Sequence, residues 1–347
     1  MSAEVDTDVL VVGGGPVGLA TAIEARLVGL SVVVVEPRTG AIDKACGEGL
    51  MPGALTALTR LGVDPAGRPL TGISYRRPGA HVDHTFRHGA GRGVRRTVLH
   101  EALRDRCAAL GVDRVADRVS TVREAPSAVE AAGIRARWLL ACDGLHSPVR
   151  RLVGLEAPAP GRRRRTTAPR FGLRRHFAVE PWSSLVEVHW GPDAEAYVTP
   201  VGDHEVGIAL LGPRGTDFGR ALASFPALAA RVEGRETTTA LRGAGPLLQR
   251  TTARATGRVR LVGDASGYVD ALTGEGLRVG FAQARAVIDH LDDGVAYERA
   301  WRAATRDYRV LTRGLVRWAS SPARRAVVPV AQAAPRLFGA VVELLAR

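Results

Sequence analysis

Two carboxylates bracketed by glycines are the residues best suited to chemistry. In DKACGEGLMPG, residues 43–53, Glu48 stands between Gly47 and Gly49, two positions after the thiol of Cys46 and four after Lys44, the only lysine among 347 residues. In LTGEGLRVG, residues 272–280, Glu275 stands between Gly274 and Gly276. A thiol or carboxylate beside a substrate can deliver or accept a proton. A lone ammonium can hold a phosphate or a carboxylate. Each has a plainer alternative: Cys46 shaping its loop without chemistry, Glu48 capping a turn or pairing with an arginine, Lys44 lying in solvent. The flanking glycines let backbone N–H groups touch a flat aromatic ligand.

These loops must be positioned by a frame, and the frame begins at residue 8. DVLVV, 8–12, is a short apolar run of the kind that forms a buried parallel strand. GGGPVG follows at 13–18, then an apolar-periodic stretch to about Val28, then SVVVVE ending at Glu36. The order is strand, glycine turn, helix, strand. Gly13 suits the tight turn, Gly15 a close approach of backbone to a diphosphate, and Gly18 close helix–strand packing. Pro16 fits the first helical turn, and the helix N-terminus faces the diphosphate. Glu36, with Arg38 beside it, is placed to bond a ribose hydroxyl. This frame fits a dinucleotide without choosing between FAD and NAD.

Two further motifs make that choice. In LLACDGLHSPVRR, 139–151, an apolar strand ends at Asp143-Gly144, with Ser147 and Arg150 following. In VRLVGDASGYVDALTGEGLRVGFAQA, 259–284, a strand ends at Gly263-Asp264, and the second GEG loop opens a long helix. The trio GxGxxG, DGxxSxxR and GD, from residue 8 to about 291, resembles the FAD-dependent group that contains p-hydroxybenzoate-hydroxylase-type (group A) flavin monooxygenases and the geranylgeranyl reductases. The resemblance implies FAD as cofactor and NADPH or NADH as electron donor. It implies that Asp264 bonds the ribityl chain and that Asp143-Gly144 supports the diphosphate end. It implies a cofactor contact from Arg96 in GVRRTVLHEAL, with Arg95 as the fallback. It sets the 43–53 loop along the flavin, and brings Gly274 and Gly276 to its pyrimidine edge.

The fold class expected is α/β, a Rossmann-like (GR2-type) FAD-binding domain with a parallel sheet, interleaved with an antiparallel β-sheet substrate domain and followed by C-terminal helices. The FAD-binding domain takes residues 1–69, 95–154 and 254–294, the substrate domain 70–94 and 155–253, and the helical segment 295–347. Period-2 patterning places strands near 70–76, 81–87, 171–178, 185–190, 196–201 and 204–211. Trp182, His189, Trp190 and Tyr197 are candidates for a substrate wall. Cys107 and Cys142 read as core residues. Beyond 295 the chain reads as helix broken by Pro322, Pro329 and Pro335. It either closes the back of the domain or forms an amphipathic surface meeting membrane or a lipid-tailed substrate.

Composition narrows the classes. Net charge is +13, with 48 basic residues against 35 acidic, and all but Lys44 are arginine. The arginines are scattered and aromatics are 5%, which excludes nucleic acid as a partner. Arg162–Arg165, among prolines, reads as a solvated loop. Three distant cysteines argue for free thiols. The opening MSAEVDTDVL lacks the pattern of a signal peptide, so a cytoplasmic protein is expected. No metal site is read.

The function expected from the resemblance is a monooxygenase hydroxylating a small hydrophobic aromatic or polyketide-like substrate through a flavin C4a-hydroperoxide. The catalytic candidates are Cys46, Glu48 and Glu275. The alternative is a reductase of isoprenoid double bonds, and the third class a flavin-binding protein without turnover.

Overall fold

The computed structural model describes residues 5–158 and 168–347, so the Arg162–Arg165 run lies outside the described residues. Its first layer is built on the N-terminal frame. β1 (Thr7–Val12) is almost wholly buried and lies between two parallel neighbours, β2 (Val32–Val35) and the strand Ile134–Ala141. Asp113–Val115 extends the parallel array beyond β2, and Val259–Leu261 extends it beyond Ile134–Ala141. Short strands Arg123–Glu124, Val129–Ala131 and Ala255–Thr256 add antiparallel edges. A strand buried on both faces needs β-branched residues rather than alternation, and VVVV at 32–35 supplies them.

α1 (Pro16–Leu27) starts with proline in its first turn, where no N–H is missed. It packs against β1 because residue 18 is glycine: a Cβ there would stand 1.9 Å from the Gly13 carbonyl oxygen. The helix Gly276–Asp289 crosses α1 equally closely, since a Cβ on Gly280 would meet Val17 at 2.4 Å.

The second layer is a seven-stranded sheet. In spatial order it runs Arg242–Ala244, Arg170–Ala178, Glu205–Pro213, Glu195–Gly202, Leu185–Trp190, Gly72–Arg77 and Ala80–Thr85. All pairings are antiparallel except Leu185–Trp190 with Gly72–Arg77, which is parallel. A three-stranded patch, Gly49–Leu50, Gly91–Gly93 and Arg68–Leu70, joins the layers.

The C-terminal segment divides in two. The helix Gly294–Ala319, capped by the Asp293 carboxylate on Val295 and Ala296 N–H, does close the back of the first layer. Tyr297 and Trp301 join its core there. The helices Val327–Ala333 and Pro335–Ala346 instead turn to the edge of the second sheet. Glu343 accepts from the Arg87 N–H at 2.9 Å and bonds His84 Nε2 at 2.7 Å, and Gln332 donates to the His81 carbonyl. Pro329 does not break the helix: it sits in the first turn of Val327–Ala333, where its missing N–H has no intrahelical partner to lose. No single helix among the described residues is long and apolar enough to cross a membrane.

Candidate functional site

At the polar end, Gly13 takes φ +106°, a left-handed conformation closed to other residues here because a Cβ would also meet the Cys142 carbonyl oxygen at 2.5 Å. Gly15 is different: a Cβ there would meet nothing within 4 Å. Its backbone faces open space at the start of α1, as a diphosphate cradle requires. Glu36, nearly fully buried, accepts from the Gly14 N–H at 2.9 Å and pairs with Arg38 at 2.7 Å. Burial pushes its carboxyl up, but Arg38 and the Gly14 N–H together hold it below the usual range.

His100, invisible as a site residue in the sequence, fixes this turn. Its Nε2 donates to the Gly14 carbonyl at 2.8 Å, and its Nδ1 accepts from the Ile42 N–H at 3.4 Å. Burial lowers its pKa to about 4, so the ring is neutral and can do both. It ties the Gly13–Gly15 turn to the start of the 43–53 loop.

The DGxxSxxR and GD motifs meet across the sheet. Ser147 caps the short helix Pro148–Leu152, and the Asp143 Oδ2 accepts from the Val149 N–H at 3.0 Å. Asp143 Oδ1 is buried with no protein partner. Arg150, 1% exposed, donates to the Leu145 and Ala265 carbonyls and to Gln249 Oε1. It therefore locks the two motif turns together and does not line the cavity described below. Gly263-Asp264 opens a 3₁₀ turn, and the Asp264 carboxylate has no hydrogen-bond partner among the described residues. Burial raises its pKa, against the pull of Lys44 and Arg96. Lys44 reaches into the same space, its Nζ 3.1 Å from where a Cβ on Gly144 would stand. Burial lowers its pKa, and Asp264 partly restores it. Of the arginine pair, Arg95 is committed to Glu205 at 2.6 Å, while Arg96 faces the cavity with its Nε unpartnered.

The 43–53 loop is held at its start and its middle by the second sheet. Asp43 pairs with the buried Arg174 and with Arg242. Glu48, 4% exposed and at φ +59°, accepts from the Arg96 N–H at 2.8 Å through Oε1 and bonds His176 through Oε2. Both carboxylate oxygens thus have protein partners, and the side chain works as the loop's anchor. Gly207 makes room for the pair, since a Cβ there would stand 3.2 Å from Glu48 Oε2. Cys46 remains half-exposed to the cavity, its only hydrogen bond among the described residues being from the Glu48 N–H. Cys107 and Cys142 are buried, and burial pushes both thiols up to about 12.

On the opposite side, Glu275 precedes the helix Gly276–Asp289 and is 1% exposed. Its Oε2 pairs with Arg278, while its Oε1 is buried without a partner. Burial raises its pKa to about 7, with Arg278 opposing. Gly274 takes φ +72° to turn the loop.

These groups line one cavity of about 990 Å³, at the top of the usual ligand-pocket range of ~300–1,000 Å³. It runs from the Gly13–Val17 turn past Lys44, Cys46 and Asp264 to an apolar end beneath the second sheet. That end is walled by Tyr75, Val186, Tyr197 and Leu211 from the sheet, and by Trp318, Phe338 and other C-terminal residues. Of the four expected wall aromatics only Tyr197 lines it, with its hydroxyl donated to the Leu272 carbonyl. Trp182 and His189 bond Glu187, and Trp190 packs at a tilt against Tyr75, ring centres 5.4 Å apart. Strand alternation identified inward faces but not which inward face was core. Tyr75 was missed for the same reason, and the C-terminal helices, read either as closing the back of the domain or as a surface meeting membrane or a lipid-tailed substrate, were not placed on this wall.

FAD fits the polar end. The open Gly15 backbone, the orphaned Asp143 Oδ1, the unpartnered Asp264 carboxylate and the cations Lys44 and Arg96 form a polar surface that the protein leaves unsatisfied. Among the described residues, no group of three or more His, Cys, Asp or Glu could hold a metal ion.

Comparison with known proteins agrees. A family model described as FAD binding domain matches residues 6–187. Menaquinone reductase from Mycobacterium tuberculosis (strain ATCC 25618 / H37Rv) is 29% identical over 328 residues, covering 84% of this chain and 78% of that enzyme. Para-nitrophenol 4-monooxygenase from Pseudomonas sp. (strain WBC-3) is 30% identical over 177 residues, 42% of each chain. The crystal structure of p-nitrophenol 4-monooxygenase PnpA from Pseudomonas putida DLL-E4 superposes with a TM-score of 0.80 at 19% identity, over 97% of this chain and 96% of that one, a likeness of fold.

Proposed function

The chain belongs to the FAD-binding-domain family, an oxidoreductase family with monooxygenase and reductase members, and from that premise we propose that it is a monooxygenase hydroxylating a hydrophobic aromatic or polyketide-like small molecule. The observation that carries this reading is the single cavity that joins the dinucleotide cradle to an apolar chamber. Gly13, Gly15 and Gly18 with α1 would hold the diphosphate, and Glu36 with Arg38 the ribose. Asp143-Gly144, Arg96 and Asp264 would hold the chain between diphosphate and ring, with Gly274 and Gly276 at the ring's edge. When bound, the flavin supplies two-electron redox chemistry and the activation of dioxygen. NADPH or NADH would reduce it by docking transiently, since the sequence has no second GxGxxG.

The chain's own residues do the rest. The apolar walls exclude water from the reacting centre. Glu275 Oε1, buried and unpartnered, takes or returns the proton of a substrate hydroxyl, and its ordinary range raised to about 7 suits both directions at neutral pH. Cys46 stands on the other loop as a second group able to orient substrate. Glu48 holds that loop in place. The free thiols suit the cytoplasm.

A second reading is a reductase of isoprenoid double bonds. It is favoured by the menaquinone reductase relative, aligned over most of this chain, by the CGEG loop, and by Glu275 on the second GEG loop, an acid able to donate a proton. Turnover of lipophilic phenols and isoprenoid quinones with NADPH under isotopically labelled dioxygen separates the two. A product carrying one labelled oxygen supports hydroxylation. A product gaining two hydrogens, at a rate independent of oxygen, supports reduction. Donor oxidation with every candidate substrate unchanged would count against both.

A further inference from the structure

We propose that the mouth of the cavity, at the corner between the helices Val327–Ala333 and Pro335–Ala346, docks on an anionic lipid surface and takes its apolar substrate from there. This rests on the reading of the cavity as a hydrophobic substrate site.

Three observations converge on the corner. The first is continuity with the cavity: Val330 and Leu337 line it, yet they are 45% and 64% exposed. The same residues thus face both the chamber and the outside, which makes the corner a mouth. The second is the character of the rim. Pro329, Ala333, Pro335 and Ala340 are also exposed, so apolar surface runs outward from the mouth without a break by charge except Arg336. The stretches Pro322–Ala333 and Pro335–Ala346 are bent by 102° at the corner, and only together do they match a membrane span by length and composition. A bent, short, apolar corner pinned to a folded body by Glu343, His84 and Gln332 lies on a bilayer and does not cross it. Trp318, half-buried at the end of the preceding helix, lines the cavity with its indole N–H held by the Ala323 carbonyl. An amphipathic ring there suits the headgroup level.

The third observation is charge. From Tyr308 to Val342 the sequence contains no acidic residue and six arginines. Arg313, Arg317, Arg325 and Arg336 are exposed. Such a one-signed stretch is matched by anionic headgroups, each arginine near the lipid adding to binding.

Purified, flavin-loaded protein is sedimented with vesicles of phosphatidylcholine alone, or of phosphatidylcholine and phosphatidylglycerol in equal parts. Binding to the anionic vesicles, weaker by about tenfold or more on the neutral ones, is expected. The double reversal Arg325→Glu/Arg336→Glu and the single change Leu337→Asp should each cut anionic binding by about tenfold or more. Arg220→Glu, on a helix away from the corner, should leave it unchanged. Flavin content checks that each variant is folded. Absence of binding, equal binding to both vesicles, or an equal loss with Arg220→Glu would overturn the proposal. The readout needs no turnover. Protein that transforms detergent-dispersed substrate but ignores vesicles overturns only the docking, and protein that binds vesicles but transforms nothing overturns only the activity.

Discussion

Glu48 and His176, 128 residues apart in the chain, share a buried hydrogen bond that ties the Cys46 loop to the second sheet. Arg174 can only donate, and it donates to His176 Nδ1 at 3.2 Å, so Nε2 carries the proton that faces Glu48. Removing the carboxylate leaves the ring N–H and the Arg96 N–H without partners. Glu48→Ala is therefore expected to destabilise the protein by about 3 kcal/mol, one to three for each buried group left unpaired. His176→Ala should act similarly, and the double variant should cost much less than the sum. Chemical denaturation of the three variants checks this. Wild-type stability in Glu48→Ala would remove the anchoring role and return Glu48 to the reacting groups.

Two glycines of one motif should behave oppositely. A Cβ on Gly18 would collide with the Gly13 carbonyl oxygen, whereas one on Gly15 enters open space. Gly15→Val should melt near the wild-type temperature and yet purify with little flavin. Gly18→Val should lose folded protein itself. Absorbance of bound flavin set against a melting curve separates the two. A flavin-replete Gly15→Val would place the diphosphate elsewhere.

Asp264 has no hydrogen-bond partner among the described residues, and burial raises its pKa. Its removal takes away no protein hydrogen bond, and the relief of a desolvated carboxylate offsets the lost attraction to Lys44. Asp264→Ala should thus keep or slightly raise the melting temperature of flavin-free protein while losing bound FAD. A fully loaded variant would contradict the cofactor contact. Cys46→Ala, whose thiol accepts only the Glu48 N–H among the described residues, should keep FAD and change turnover. Unchanged kinetics would reduce the thiol to filling.

The contrast between these residues explains what was legible in the sequence. Local geometry was: Gly13, Gly15, Glu36 and Asp264 sit on turns and strand ends, which spacing encodes directly. The strands near 171–178, 185–190 and 204–211 were legible because alternation is itself the local signal of a sheet. Long-range partnership was not. Glu48 has the composition of a reacting group, and only the fold supplies His176. Arg96 was separable from Arg95 only once Glu205 was seen to hold the latter. The helices after Pro322 carried an amphipathic pattern, but pattern does not say which cavity the apolar stripe covers.

Glu275 gives the most direct test of chemistry. Burial raises its pKa from the ordinary 4.5 to about 7. The folded protein then holds this proton more tightly than the unfolded chain does. Between those two values the unfolded chain has ionised and the folded one has not, so the group lowers stability as pH rises from about 4.5 to about 7 and adds no further slope above. Glu275→Gln keeps the size and cannot ionise. Relative to the wild type it should therefore gain stability over that window, by up to about 3 kcal/mol, read from denaturation of flavin-free protein at pH 5 and pH 8. The same variant should lose the break near pH 7 in kcat/KM while keeping substrate affinity. A stability profile parallel to the wild type would mean that Glu275 ionises normally. A surviving kinetic break would assign the proton to another group, with Cys46 the next on the cavity wall.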